Sequence, residues 1–181
     1  MKDKMNNIFL SFGGDLVFVR HGENIVNSAI SNDFLPLTEL GIRQAEEAKK
    51  IIGNNFDVVI SSTSTRCIMT AKIIMNGEDP IEDVRLLERG FGNKEHDGRE
   101  TDEQAKERLL NVLKDISKKY RQKRVVIITH GALMRLAQDV IENNCIKRER
   151  INNCDVIEYN RKGKKKVIKA PNYVYFSREM W

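Results

Sequence analysis

Two runs of consecutive apolar, mostly β-branched residues constrain this chain more than anything else in it: Leu16-Val17-Phe18-Val19 and Val125-Val126-Ile127-Ile128. A strand that alternates apolar and polar residues keeps one face in water, whereas a strand that is apolar throughout has to be covered on both faces. Each run stops at polar residues that include a histidine followed by a glycine. Arg20-His21-Gly22-Glu23 follows the first, and Thr129-His130-Gly131 follows the second. In open α/β sheets ligands bind at the carboxyl ends of the strands, so two segments far apart in sequence are expected to deliver one site.

Around these runs, strand and helix signals alternate. Asp15 to Arg20 reads as the first strand. Thr38 to Ile52 reads as a helix, with Leu40, Ala45, Ala48, Ile51 and Ile52 at helical spacing, Thr38 as N-cap and Gly53 as stop. Phe56 to Ile60 is predicted as a strand, Ser64 to Met75 as a helix and Val84 to Leu87 as a short third strand. Asp102 to Tyr120 is a long helix with Leu109, Leu110, Val112, Leu113 and Ile116 turned inward, followed by a strand over Arg124 to Thr129 and a helix over Ala132 to Glu142. Val156 to Tyr159 and Val167 to Ile168 form a strand pair around Arg161-Lys162-Gly163-Lys164-Lys165-Lys166, whose glycine suits a hairpin turn. The alternation predicts a single three-layer α/β domain over residues 15–181, with a mostly parallel central sheet and helices on both faces. Residues 1–14 are read as an N-terminal extension, with Ile8 to Leu10 as a candidate edge strand.

A chain of 181 residues, 40% apolar and 31% charged, can build one hydrophobic core. No apolar stretch is long enough to cross a bilayer, and the polar start with Lys2 and Lys4 is unlike a signal peptide, so a cytoplasmic location is expected. The three cysteines, Cys67, Cys145 and Cys154, make no CxxC pair and read as reduced thiols rather than as a disulfide framework or a zinc site. The net charge of +5 is concentrated in the basic hairpin turn, where no aromatic residues interleave to stack bases. Neither nucleic acid nor membrane is expected as a partner.

Four ordered segments carry a resemblance to a known family. They are LVFVRHGENIVN from Leu16 to Asn27, LTELGIRQA from Leu37 to Ala45, SSTSTRCIMTA from Ser61 to Ala71, and VVIITHG from Val125 to Gly131. Over residues 15 to 142 the chain resembles the histidine phosphatase superfamily, also called the phosphoglycerate mutase-like family. The resemblance implies that His21 is the nucleophile that becomes phosphorylated and that Arg20 and Arg66 grip the phosphoryl group. It also implies that His130 is the second histidine of the pocket, that Glu88 is the proton donor, and that Asn27 and Gly131 contact substrate. The chemistry agrees. Two guanidinium forks match phosphate oxygens and keep a neighbouring imidazole neutral, and only a neutral imidazole can attack. A phosphohistidine splits one hard displacement into two easier ones. His130, when protonated, can donate to the phosphoryl group, and Glu88 must be protonated to act on the leaving oxygen. No metal or cofactor is implied, because the arginines and His130 supply the positive charge.

The chain also departs from the family pattern. Larger members carry a long insertion over the site, whereas here only Arg89 to Gly98 separates Glu88 from Arg99-Glu100. An open site favours hydrolysis over mutase chemistry, which must exclude water. Val26 replaces a tryptophan common in mutases, and Glu95, Asp97 and Glu100 are rival carboxylates to Glu88. Glu23 reads as structural, His96 as a solvated loop residue, and Cys67 as no nucleophile. The expected function is metal-independent hydrolysis of a phosphorylated small molecule. The alternatives are a protein phosphohistidine or phosphotyrosine phosphatase, phosphoglycerate mutase-type transfer, and a phosphate-binding module without turnover. The oligomeric state stays open.

Overall fold

The computed structural model describes residues 12–25, 32–89, 100–142 and 150–171. Its centre is a six-stranded sheet in the order β3-β2-β4-β1-β5-β6. The strands are β1 (Asp15–Arg20), β2 (Val58–Ser61), β3 (Ile81–Glu82), β4 (Arg124–Thr129), β5 (Val156–Tyr159) and β6 (Lys165–Ile168). β1, β2, β3 and β4 are mutually parallel, while β5 runs antiparallel to β1 and to β6. Among the described residues four α-helices lie on the sheet: α1 (Glu39–Ile52), α2 (Thr65–Ile74), α3 (Asp102–Lys119) and α4 (Gly131–Glu142).

The unbroken apolar runs explain the layering. Side chains alternate faces along a strand, and here both sets are buried. Leu16, Phe18, Val125, Ile127 and Ile157 face one core with Leu109, Leu113, Leu133 and Met134 from α3 and α4. Val17, Val19, Val126, Ile128 and Val156 face the other with Ala45, Ala48, Ala71 and Ile74 from α1 and α2. The alanines let α1 and α2 sit close to the sheet. Truncating a fully buried leucine such as Leu109 in the first core would cost about 2–5 kcal/mol.

Local signals set the helix ends. The Thr38 hydroxyl accepts the Gly41 N–H at 2.9 Å, and Gly53 ends α1 with its N–H on the Lys49 carbonyl. α3 opens with a reciprocal capping box between Thr101 and Gln104. The β5–β6 turn is organised by Asn160, whose side-chain oxygen accepts the N–H groups of Lys162 and Lys164.

One expectation needs correction. Val84 to Leu87 is not a strand: Val84–Leu86 is a 3-10 turn, and the third strand is the shorter Ile81–Glu82 just before it. The Asp83 carboxylate accepts both the Arg85 N–H and its guanidinium, so the backbone finds its partners locally instead of in the ladder. Phe12 is buried in the core, and its carbonyl accepts the Gln122 N–H at 2.8 Å. Ile8 to Leu10 lie outside the described residues.

One close approach ties the end of β1 to α1. A Cβ on Gly22 would sit 2.4 Å from the Gly41 carbonyl oxygen, and one on Gly41 only 2.0 Å from the Glu23 carbonyl oxygen. Both obstacles are backbone, so no rotamer change relieves them. Gly41→Ala is therefore expected to cost about 2 kcal/mol or more in urea denaturation. Gly53→Ala, which meets nothing within 4 Å but carries φ +67°, should cost about 1 kcal/mol. Wild-type stability of Gly41→Ala would refute this account of the contact.

Candidate active site

β1 and β4 are parallel neighbours with Arg20 opposite Thr129, so the residues that follow them emerge side by side. The ladder runs one residue further: His21 N–H donates to the Thr129 carbonyl at 3.0 Å. On the other side of β4, β2 ends at Ser61 opposite Ile128, and Ser62 N–H donates to the Ile128 carbonyl. α2 begins four residues after β2 and carries Arg66 in its first turn. Three strand ends and one helix start thus converge.

The turn after His21 is clamped from two helices. Gly22 N–H donates to the Thr70 hydroxyl of α2, and Glu23 N–H to the Gln44 side-chain oxygen of α1. The Glu23 carboxylate accepts the Thr38 hydroxyl at 3.0 Å. Glu23 therefore does the structural job expected of it.

Arg20, His21, Arg66 and His130 come together at this point, and Arg66 links the two histidines. Its Nε–H donates to His21 Nε2 at 3.3 Å, and its Nη2 to His130 Nδ1 at 3.2 Å. Both imidazoles are buried, with ring centroids 5.1 Å apart. Because a guanidinium only donates, both contacted nitrogens carry lone pairs. The other His21 nitrogen, Nδ1, donates to the Gly22 carbonyl at 2.7 Å. His21 is therefore the Nδ1–H tautomer, with its lone pair on Nε2. The proton of His130 lies on Nε2 and is given to the Ser62 hydroxyl at 3.0 Å, with Ser64 Oγ at 3.4 Å and Cys67 Sγ at 3.6 Å.

The electrostatics follow from burial. Desolvation pushes the His21 pKa down to about 3; the bond to Gly22 opposes this, and the charges of Arg66 and Arg20 add to it. Burial also lowers His130 well below the ordinary imidazole value, helped by His21 and by Arg66, Arg20 and Arg108. As held here, His130 is neutral and is not a protonated donor. Burial pushes the Cys67 thiol up to about 12, so it does not act as a thiolate.

Arg20 is fixed from the loop before β5. Its Nη1 donates to the Ile151 carbonyl at 2.9 Å, its N–H to the Asp155 carbonyl, and its own carbonyl accepts the Cys154 N–H. The Asn153 side chain donates to the His21 carbonyl at 3.0 Å. This loop is held by the buried Asp155 carboxylate, which accepts the N–H groups of Asn152 and Ala170 and the Lys169 ammonium. Gly131 lies under Arg20; a Cβ there would sit 3.3 Å from Arg20 Nε.

Glu88 lies at the edge of this network. One carboxylate oxygen accepts the Arg89 N–H at 2.9 Å, and the other lies 3.5 Å from the Ala132 N–H in the first turn of α4. Among its rivals, Glu100 is bound by the Arg108 guanidinium through both oxygens. Asn27, Val26, Glu95, His96 and Asp97 lie outside the described residues. Sequence reading missed Ser62, Thr70, Gln44, Asn153 and Asp155. Only Ser62 carried a local signal, since it follows a strand end as the histidines do.

Comparison with known proteins comes from three directions. The family model of the histidine phosphatase superfamily (branch 1) matches residues 16–104 and 93–174. The uncharacterized phosphatase PhoE of Bacillus subtilis is 29% identical over 135 residues, covering 63% of this chain and 70% of that protein. The probable phosphoglycerate mutase GpmB of Yersinia pestis is 40% identical over 80 residues, 41% of this chain and 37% of its own length. The chain thus spans little more than a third of the mutase it matches. Among solved structures, phosphoserine phosphatase from Entamoeba histolytica in complex with phosphoserine aligns with a TM-score of 0.69 at 21% identity, over 86% of this chain and 95% of that one. YhfR of Bacillus stearothermophilus aligns with a TM-score of 0.68 at 23% identity, over 85% and 95%. At such identities these two structures speak for the fold alone.

The buried imidazoles make stability depend on pH. An unfolded His21 takes up a proton near 6.5 and the folded one near 3, so between these values the unfolded chain binds more protons. The contribution is fully present above pH 6.5 and is lost as pH falls toward 3. Urea denaturation between pH 7.5 and 4.5 should show stability falling with pH, less steeply in His21→Gln. Identical slopes in the two proteins would mean that His21 is not held neutral by the fold.

Proposed function

Since this chain belongs to the histidine phosphatase superfamily, we propose that it hydrolyses phosphate monoesters through a phosphohistidine formed on His21 Nε2. The observation that carries this reading is the single guanidinium of Arg66 bonded to both His21 Nε2 and His130 Nδ1. An anionic phosphoryl group is a stronger acceptor than a neutral imidazole. Arriving between the histidines, it takes over the donors of Arg66 and leaves the Nε2 lone pair of His21 facing phosphorus.

The steps balance as follows. His21 Nε2 forms a bond to phosphorus as the ester P–O bond breaks, and protonated Glu88 gives its proton to the leaving oxygen. Positive charge grows on the imidazole, and the Gly22 carbonyl that accepts the Nδ1 proton stabilises it. Arg20 and Arg66 balance the phosphoryl oxygens. The approaching dianion favours protonation of His130, which then donates to an equatorial oxygen. Water next attacks phosphorus and gives a proton to Glu88, and the N–P bond breaks. This restores neutral His21 and releases phosphate. Asn27 and Gly131 contact the phosphoryl group or its surroundings in this reading. The positive charge comes from the protein's own side chains, so chelators should not affect turnover.

A phosphorylated small molecule is the proposed substrate. The brief stretch between Glu88 and α3 also supports a second reading, in which the exposed phospho-side chain of a protein enters. The same stretch favours hydrolysis over mutase transfer, because water reaches the phosphoenzyme. The buried free thiols Cys67 and Cys154 agree with a reducing, cytoplasmic setting.

Hydrolysis of p-nitrophenyl phosphate in EDTA tests the reading. His21→Ala should lose about 10³-fold or more in kcat. Glu88→Gln should lose about 10²-fold on an alkyl phosphate and far less on p-nitrophenyl phosphate, whose leaving group needs no proton. EDTA-sensitive turnover, or full activity of His21→Ala, would overturn the phosphohistidine mechanism.

A further inference from the structure

The Glu88 carboxylate is held by backbone N–H groups, so its position depends on the main chain that carries it. That main chain has little packing of its own. Between β3 and Glu88, Leu86 is buried whereas Val84 is 61% exposed. Polar staples do the remaining work. The Thr129 hydroxyl, one residue before His130, donates to the Leu86 carbonyl at 2.7 Å. Nη1 of Arg108, reaching across from the second turn of α3, donates to the carbonyls of Arg85 and Leu87. Carbonyls 85, 86 and 87 are therefore all engaged, and Glu88 is the next residue.

The rest of the Arg108 fork is also committed. Its Nε donates to Glu100 Oε1 at 2.7 Å and its Nη2 to Glu100 Oε2 at 2.6 Å, with the arginine side chain only 17% and the glutamate 9% exposed. Residues 85–87 and residue 100 thus meet on one guanidinium. The Glu100 carboxylate holds the plane of that guanidinium in place, which aims Nη1 at the two carbonyls. If the ion pair served only to neutralise charge, it would not need the main-chain bonds. A lysine could replace the charge of Arg108 but not its geometry, because an ammonium has no fixed fork.

We propose that Arg108, oriented by Glu100, is a positioning residue for proton transfer: through the carbonyls of Arg85 and Leu87 it sets where the Glu88 carboxyl stands relative to the leaving oxygen. The inference rests on the reading of Glu88 as proton donor. It predicts a defect confined to substrates that need the proton. A purely structural role would lower activity on all esters together.

The experiment compares kcat/KM on glycerol 2-phosphate and on p-nitrophenyl phosphate for wild type, Arg108→Gln, Arg108→Lys, Glu100→Gln, Glu88→Gln and the Arg108→Gln/Glu88→Gln double variant. Arg108→Gln should lose about 10- to 100-fold on the alkyl ester and no more than about threefold on the aryl ester, since only the former depends on general-acid catalysis. Arg108→Lys should rescue little. The double variant should be no worse on the alkyl ester than Glu88→Gln alone, because the two residues act on one step. Glu100→Gln, which leaves Arg108 in place and weakens its orientation, should show the same selectivity and covers the case in which Arg108→Gln does not fold. Equal losses on both esters, or losses that multiply in the double variant, would overturn the positioning role while leaving Glu88 as donor. An alkyl-selective defect that is absent in Glu88→Gln itself would overturn the donor assignment and this inference with it.

Discussion

The site depends on keeping two imidazoles neutral within a hydrogen bond of a guanidinium. Burial makes a charged histidine costly at this position, and the nearby arginines make it costlier. Protonation is therefore suppressed, and the remaining question is which nitrogen holds the single proton. Gly22 answers it for His21 and Ser62 for His130, by accepting Nδ1–H and Nε2–H respectively. An imidazole with a defined lone pair follows from these two acceptors and from the cationic donor between them. The sheet serves this arrangement: the strand ends of β1, β2 and β4 bring the pieces within a few ångströms, and both faces of the sheet are packed against helices.

Much of this was legible in the sequence, for identifiable reasons. β1 and β4 could be placed to the residue because their apolar runs stop sharply at charged or polar groups, and α1 because Thr38 and Gly53 act through local geometry. The segment just before Glu88 was read with the wrong local structure. A four-residue window such as Val84-Arg85-Leu86-Leu87 has no measurable period, and the Asp83–Arg85 contact that bends it is a local choice of polar partners over the strand ladder. Four of the five residues that escaped sequence reading share one property. Thr70, Gln44, Asn153 and Asp155 act by meeting backbone groups from distant parts of the chain, and neither spacing nor composition records such a meeting.

The glycines divide along the same line. Gly22 and Gly131 stand out because each follows a strand-end histidine, but the reason for each differs. Gly22 lets α1 close onto the turn through Gly41, and Gly131 leaves room for the Arg20 side chain. The turn after His21 is thus held not through its own conformation but through contact with elements on either side. A site whose parts are held by several elements of the domain ties its geometry to global stability, since its members do not loosen independently.

The loop that fixes Arg20 has a consequence for synthesis. Ile151, Cys154 and Asp155 supply its backbone partners, and Asp155 is in turn tied to Ala170. β1 itself lies between β4 and β5, more than a hundred residues downstream of it. A nascent chain leaves the ribosome from its N-terminus at about 5–20 residues per second, so His21 emerges while the partners of Arg20 are still untranslated. Until the β5–β6 hairpin closes against β1, the polypeptide holds His21 without the assembled cradle around it.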